Sequence, residues 1–261
     1  MTKVSLITPT GNRARFLPLL EQCVIAQTYA DVEWLILDDS PEPNAAFAAR
    51  TKANIRYVHA RERLTIGEKR NRLVEMATGD IILHFDDDDY YGPDYVATAI
   101  AALQSSSCDM AILDGFFVAH LDTDAIGYYL TQLKQGIAYN FSNGVVNVLQ
   151  LEKIKIPLVH LCFGFSYAYR RKVWENAPFQ SLNAFEDRSF TLEAMNRFKV
   201  MHYRDTDVNV IHTVHGNSTS NSFPQFMIPP FMLHKLNPHA FRHLEDLRQV
   251  VKPGPGPNPP S

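Results

Sequence analysis

The apolar positions of this chain follow two alternating rhythms through its first half. Val4-Ser-Leu-Ile-Thr8, Val32–Leu37, Ile55–Val58, Ile81–Phe85 and Met110–Leu113 are short, nearly continuous apolar runs that read as buried strands. Between the first two, Phe16, Leu17, Leu19, Leu20, Cys23, Val24 and Ile25 recur at helical spacing. A short helix is predicted over 45–52. A longer one is predicted over Ile66–Thr78 with Gly79 as its stop, and Pro93 suits the start of the next. Strands buried on both faces and alternating with helices imply an α/β fold with a Rossmann-like, mostly parallel central sheet flanked by helices. From about Gly115 the pattern is less regular and richer in Tyr, Phe, Asn and His. This part is expected to complete the same sheet, so that residues 1–251 form a single domain in two halves, 1–114 and 115–251. The tail from Lys252 to Ser261 alternates Pro and Gly and is expected to be disordered.

Ligands of parallel sheets bind at the carboxyl ends of the strands. Three polar clusters fall there: Thr8-Pro9-Thr10, Asp38-Asp39-Ser40 and Asp86-Asp87-Asp88-Asp89. Four adjacent carboxylates repel one another unless positive charge lies close by, and a hard divalent cation, Mg²⁺ or Mn²⁺, is one natural source of it. A solvated acidic turn or a helix N-terminus is the competing explanation. The coincidence of three clusters at strand ends favours one shared site.

Composition narrows the class. The chain has 261 residues, 46% of them hydrophobic, enough for one sizeable core. Its net charge of −3 and lack of a Lys/Arg-rich run give no electrostatic case for nucleic acid. Three scattered cysteines, Cys23, Cys108 and Cys162, show no metal or redox spacing. A reducing cytoplasm is the expected setting, with peripheral membrane contact left open, and no apolar run is long enough to span a bilayer.

Taken in order, Val4–Thr10, Asp38-Asp39-Ser40, Gly67-Glu-Lys-Arg-Asn71, Ala77-Thr-Gly-Asp80, the aspartate run and Pro93-Asp94 resemble the family 2 glycosyltransferases of the GT-A fold. Phe185-Glu186-Asp187 and His215-Gly-Asn-Ser-Thr-Ser220 extend the likeness. The resemblance implies a metal-dependent glycosyltransferase of hexosyltransferase type. It would move a sugar from a nucleoside-diphosphate sugar, a UDP-sugar by preference, to an acceptor hydroxyl on a glycan, lipid-linked sugar, protein or small molecule. Residues 1–114 would then bind the donor and 115–251 the acceptor. By the same resemblance Asp86 and Asp88 correspond to the Asp-x-Asp element and, with His215, hold Mn²⁺ or Mg²⁺. Asp87 would touch the donor ribose, although four aspartates leave the register open. Asp39 would take a hydrogen bond from the base, with Thr8, Pro9 and Thr10 lining that pocket. Lys69 and Arg70 would face the diphosphate. Asp187, with Glu186 as the alternative, would be the general base of an inverting displacement. Phe185 stands where many relatives carry a small residue.

Each assignment has a plainer competitor. Glu186 and Asp187 suit a helix N-terminus, and His212, a rival metal ligand, lies on the apolar strand 208–214 where a structural role is expected. Lys69 and Arg70 fall in a helix first turn, where cations are unfavourable without an anion nearby, which argues for a diphosphate. Gly216 suits the hinge of a lid over residues 218–220. Trp34 and Trp174 read as packing residues. The stretch Phe223–Leu233 is expected to cap the core, since its basic content is too low for a membrane-surface helix. The alternatives to a glycosyltransferase are an inactive GT-A scaffold binding sugar nucleotide or glycan, and a nucleotidyltransferase. For the latter, Thr10–Arg15 is a poor phosphate loop.

Overall fold

The computed structural model describes residues 2–49, 54–105, 107–131, 136–142, 145–151, 162–216, 218, 220 and 222–251. The expected tail at 252–261 lies outside them. The apolar runs become a parallel block in the order β3 (Ile55–His59), β2 (Val32–Asp38), β1 (Val4–Thr10), β4 (Ile81–His84). Helices α1 (Leu17–Ile25), α2 (Ala45–Ala48) and α3 (Ile66–Met76) lie between these strands in sequence. The short strand β5 (Tyr90–Tyr91) and helix α4 (Tyr95–Ser105) follow. The long strand β6 (Met110–His120) turns into β7 (Ala125–Leu130) as an antiparallel hairpin, and β8 (Gly136–Ser142) pairs with β9 (Val145–Leu151) separately.

The second half completes the sheet. Strand β10 (Ala168–Arg170) is antiparallel to both β4 and β6 and joins them. Helices α5 (Arg171–Asn176) and α6 (Glu186–Arg197) come next. Strands β11 (Val200–Arg204) and β12 (Val210–Val214) run parallel to the two ends of β6. The edge strand β13 (Phe226–Met227) pairs with β7, and α7 (Pro230–Leu236) and α8 (Pro238–Val251) close the chain. One core layer joins residues from α1, α4 and α8; the opposite layer joins residues from α3, α5 and α6. The sheet is therefore covered on both faces, as the buried strand pattern requires.

Several expectations change. Strand β6 continues to His120, past the 114/115 division, so the two halves share a strand. Helix α3 ends at Ala77, and Gly79 does not cap it. A Cβ at Gly79 would press on the Ser5 hydroxyl and the Lys3 carbonyl, so this glycine serves a close approach to β1. The 223–233 stretch caps the core only in part: Leu233 and Pro224 are buried and Ile228 packs on the core, but Phe226, Met227, Phe231 and Met232 are exposed. Its elements are a two-residue edge strand and a seven-residue helix, too short to bury more than one side. Trp34 is buried as expected, and its indole donates to the Thr8 hydroxyl at 2.9 Å. The three cysteines are free and buried. Among the described residues no helix is long and apolar enough to cross a membrane.

Candidate active site

Register brings the first two clusters together. Parallel pairing sets Thr10 against Asp38, and Ile7 against His84. Three residues beyond the Ile7–His84 pair on each strand, Thr10 comes level with Asp87, whose carboxylate accepts from the Thr10 hydroxyl at 2.6 Å. The third component arrives from far downstream. β5, just after the aspartates, pairs antiparallel with β12, matching Tyr90 to Ile211. The chain leaving β12 then passes the aspartate turn. Thr213 N–H donates to Asp89 at 2.7 Å, and His215 Nε2 reaches Asp88 Oδ2 at 3.1 Å across 127 residues of sequence. Phe16 stacks on the His215 ring at 5.4 Å and holds it.

The four aspartates are partnered one by one, which corrects the premise that they need a metal to coexist. Asp86 Oδ1 lies 3.7 Å from Arg70 Nη2 and makes no hydrogen bond. Asp87 and Asp88 share Arg13, whose Nη1 lies 2.8 Å from Asp87 Oδ1 and 2.8 Å from Asp88 Oδ2. Asp89 is clamped by His212 Nδ1 at 3.1 Å and by Thr213 N–H. His212, stacked on Phe165 at 4.6 Å, is thus a structural partner of Asp89, as its strand position predicts. Protein cations supply the compensating charge. Burial, reinforced by the Asp88 charge, pushes Asp87 up to about 6. Burial acts on Asp88 too, but the hydrogen bond from His215 and the Arg13 charge outweigh it and hold Asp88 at about 2. Of the pair, Asp88 keeps its charge to lower pH.

Lys69 and Arg70 also find their anions inside the protein. The Lys69 ammonium donates to Asp39 Oδ1 at 3.0 Å and to the Thr10 carbonyl at 2.9 Å. Arg70 is buried and ion-paired with Glu186. The helix-dipole mismatch that pointed to a diphosphate is resolved by these carboxylates. Asp39 is fully buried and takes further donors from Leu64 N–H at 3.0 Å and from Arg63, a largely exposed side chain that covers it. One acceptor position remains on Oδ2. Thr8 lies beneath the site: its hydroxyl donates to the Phe85 carbonyl at 2.8 Å and its side chain does not line the pocket, whereas Pro9 is partly exposed.

The Glu-Asp pair opens α6, as expected. Phe185 before it is left-handed, with φ of 66°, and its ring is exposed. That conformation is costly for a bulky residue and is characteristic of functional positions. Glu186 turns inward to Arg70. Asp187 stays partly exposed, with its carboxylate on Arg188 N–H at 2.7 Å. Burial, with the adjacent Glu186 charge, raises Asp187 above its ordinary value, and Arg70 opposes this. The Tyr167 hydroxyl donates to the Asp187 carbonyl at 3.2 Å and pins the helix start to β10. The approach of α3 depends on Gly67, where a Cβ would overlap the Gln180 carbonyl oxygen. Gly67→Ala is expected to destabilise the protein by about 1–3 kcal/mol, because backbone must move, and a urea unfolding curve would show it.

Two described ligands suit a divalent cation. Asp88 is ionised, imidazole and carboxylate suit Mn²⁺, and ligands set at right angles about 2.1 Å from a metal lie roughly 3 Å apart, close to the observed 3.1 Å. No group of three or more His, Cys, Asp or Glu is assembled around a cation position among the described residues. Asp86 is directed at Arg70 instead of joining Asp88 and His215. Such a two-ligand site would be completed by phosphate oxygens and water. Sequence reasoning missed Arg13. It lies in the turn weighed only as a phosphate loop, and no local signal ties it to aspartates 74 and 75 residues away.

Residues 5–176 match the family described as Glycosyl transferase family 2, more than half of the chain, and the chain belongs to that family. Glycosyltransferase GlyG of Streptococcus pneumoniae serotype 4 is 22% identical over 131 residues, covering 48% of this chain and 42% of GlyG. The crystal structure of S. aureus TarS 1-349 with UDP-GlcNAc superposes with a TM-score of 0.63 at 17% identity, over 90% of this chain and 64% of that one. The mannosyltransferase PcManGT of Pyrobaculum calidifontis, solved with GDP-Man and Mn²⁺, gives 0.53 at 15% identity, over 84% and 59%. At these identities the structural likeness is one of fold, the GT-A architecture. The chain spans less than half of GlyG and under two thirds of the two solved chains.

Proposed function

We propose that this chain is a metal-dependent, inverting glycosyltransferase that uses a nucleoside-diphosphate sugar, UDP-linked by preference, and an acceptor hydroxyl. One observation carries the reading. Arg70 lies between Asp86 of the aspartate turn and Glu186 beside Asp187, so the turn that carries the candidate cation site and the helix start that carries the candidate base are tied together through one buried guanidinium. A carboxylate base near the diphosphate site is what direct displacement at a sugar carbon needs.

Asp88 and His215 would hold Mn²⁺ or Mg²⁺, which when bound supplies Lewis-acid neutralisation of the leaving diphosphate. Thr10 and Asp87 face the donor ribose. Asp39 takes the N–H of the base once Arg63 moves aside, with Lys69 fixing its carboxylate. Arg70 acts indirectly, setting the start of α6 and balancing Asp86. Asp187 receives the acceptor proton, and its raised affinity for that proton suits the task. Glu186, committed to Arg70, is not the base. The UDP preference draws on TarS, which has been crystallised with UDP-GlcNAc.

Calorimetric titration with UDP, GDP, CDP and TDP, with and without Mn²⁺, tests the proposal. Mn²⁺-dependent binding of UDP is expected. Binding of none of the four would favour a scaffold role instead.

A further inference from the structure

We infer that Arg13 is a built-in counter-cation that occupies the metal side of Asp88 until a diphosphate arrives, so that metal and nucleotide bind together rather than separately. The inference rests on the donor and metal reading above.

Arg13 Nη1 touches Asp87 Oδ1 and Asp88 Oδ2, each at 2.8 Å, and Asp88 Oδ2 is the same oxygen that faces His215 Nε2. A cation ligated by that oxygen would meet the guanidinium at close range, in a site where both carboxylates are buried and screening by water is weak. A dication alone must therefore repel or displace a positive group already paired with two anions. A nucleoside diphosphate changes the balance. Its phosphate oxygens offer the guanidinium a new anionic partner, to which arginine is well suited, and offer the metal the ligands that Asp88 and His215 leave vacant. The side chain is about a quarter exposed, and its guanidinium also sits 5.9 Å over the Phe16 ring. The same ring packs on His215, so Arg13 and His215 rest on one support. Because one nitrogen makes both carboxylate contacts, a lysine ammonium can perform the same task.

The test is Mn²⁺ binding, followed through loss of the free-ion EPR signal, for wild type, Arg13→Gln and Arg13→Lys, each with and without UDP. Wild type is expected to bind Mn²⁺ weakly alone and at least tenfold more tightly with UDP. Arg13→Gln is expected to bind Mn²⁺ alone at least tenfold more tightly than wild type and to lose most of the UDP enhancement. Arg13→Lys should stay near wild type. Thermal melting supplies a second readout: Mn²⁺ without nucleotide should raise the melting temperature of Arg13→Gln more than that of wild type. Equal affinity of wild type and Arg13→Gln for Mn²⁺ alone, with UDP-dependent binding intact, overturns this inference and leaves the donor reading standing. Absence of UDP binding to wild type, with or without Mn²⁺, overturns both.

Discussion

Asp187→Asn is expected to abolish sugar transfer while leaving donor binding intact. An asparagine keeps the shape of the helix start but cannot accept the acceptor proton, and general-base assistance is typically worth about 10²–10⁴-fold. Turnover should fall by about that factor, with UDP-sugar affinity unchanged in calorimetry. Burial and the Glu186 carboxylate raise the Asp187 pKa, so wild-type kcat/KM should decline as pH falls through a value above that of an ordinary aspartate. The effect on stability runs the other way. A carboxyl with a raised folded-state pKa binds its proton more tightly folded than unfolded, so its charge costs stability above the folded pKa and costs nothing below the unfolded one. Asp187→Asn should accordingly be at least as stable as wild type near neutral pH, with the difference shrinking in acid. Glu186→Gln provides the contrast. It strips the buried Arg70 of its partner, for which about 3–5 kcal/mol is typical, so it should lose stability and not transfer alone. Wild-type turnover in Asp187→Asn would place the base elsewhere.

The second large effect is expected at Asp88. Asp88→Asn removes the carboxylate that is held well below the usual carboxylate range, at about 2, and that faces both His215 and Arg13. Groups that merely support a metal ligand are typically worth about 10–100-fold in metal affinity, so loss of a direct ligand should take Mn²⁺-dependent UDP binding below detection. His215→Ala should weaken the same binding less, because the charged ligand remains. Calorimetry with UDP in EDTA and in Mn²⁺ separates the outcomes: if the Asp88→Asn protein still gains UDP affinity from Mn²⁺, the cation is held by other residues.

Much of this is legible in the sequence. The parallel strands, the helices within 16–25 and 66–78, and three polar clusters at strand ends follow from local pattern, and the structure places those clusters together. His212, expected to be structural from its position on an apolar strand, pairs with Asp89. The roles of the cations were not legible. Lys69 and Arg70 carry a real local signal, positive charge at the wrong end of a helix, but the signal says only that an anion is near. Asp39 and Glu186, 30 and 116 residues away, are the anions. Glu186 and Asp187 are neighbours with the same chemistry in sequence; the left-handed turn at Phe185 sends one inward and leaves the other near the surface. The 223–233 stretch caps the core with Leu233 and Ile228 and leaves four large apolar side chains exposed, because hydrophobic content does not reveal how much surface a short edge element can cover.

The sequence by itself determined the periodic elements, the family and the inventory of groups able to bind metal, diphosphate or a proton. These depend on residues a few positions apart, where side-chain spacing dictates the outcome. Only the tertiary structure decided which of four adjacent aspartates meets His215, which meets Arg13, and which are committed to Arg70 and His212. Those choices depend on strand register and on a β12 crossover that joins segments more than 120 residues apart, and buried charges pair with whatever packing brings within reach.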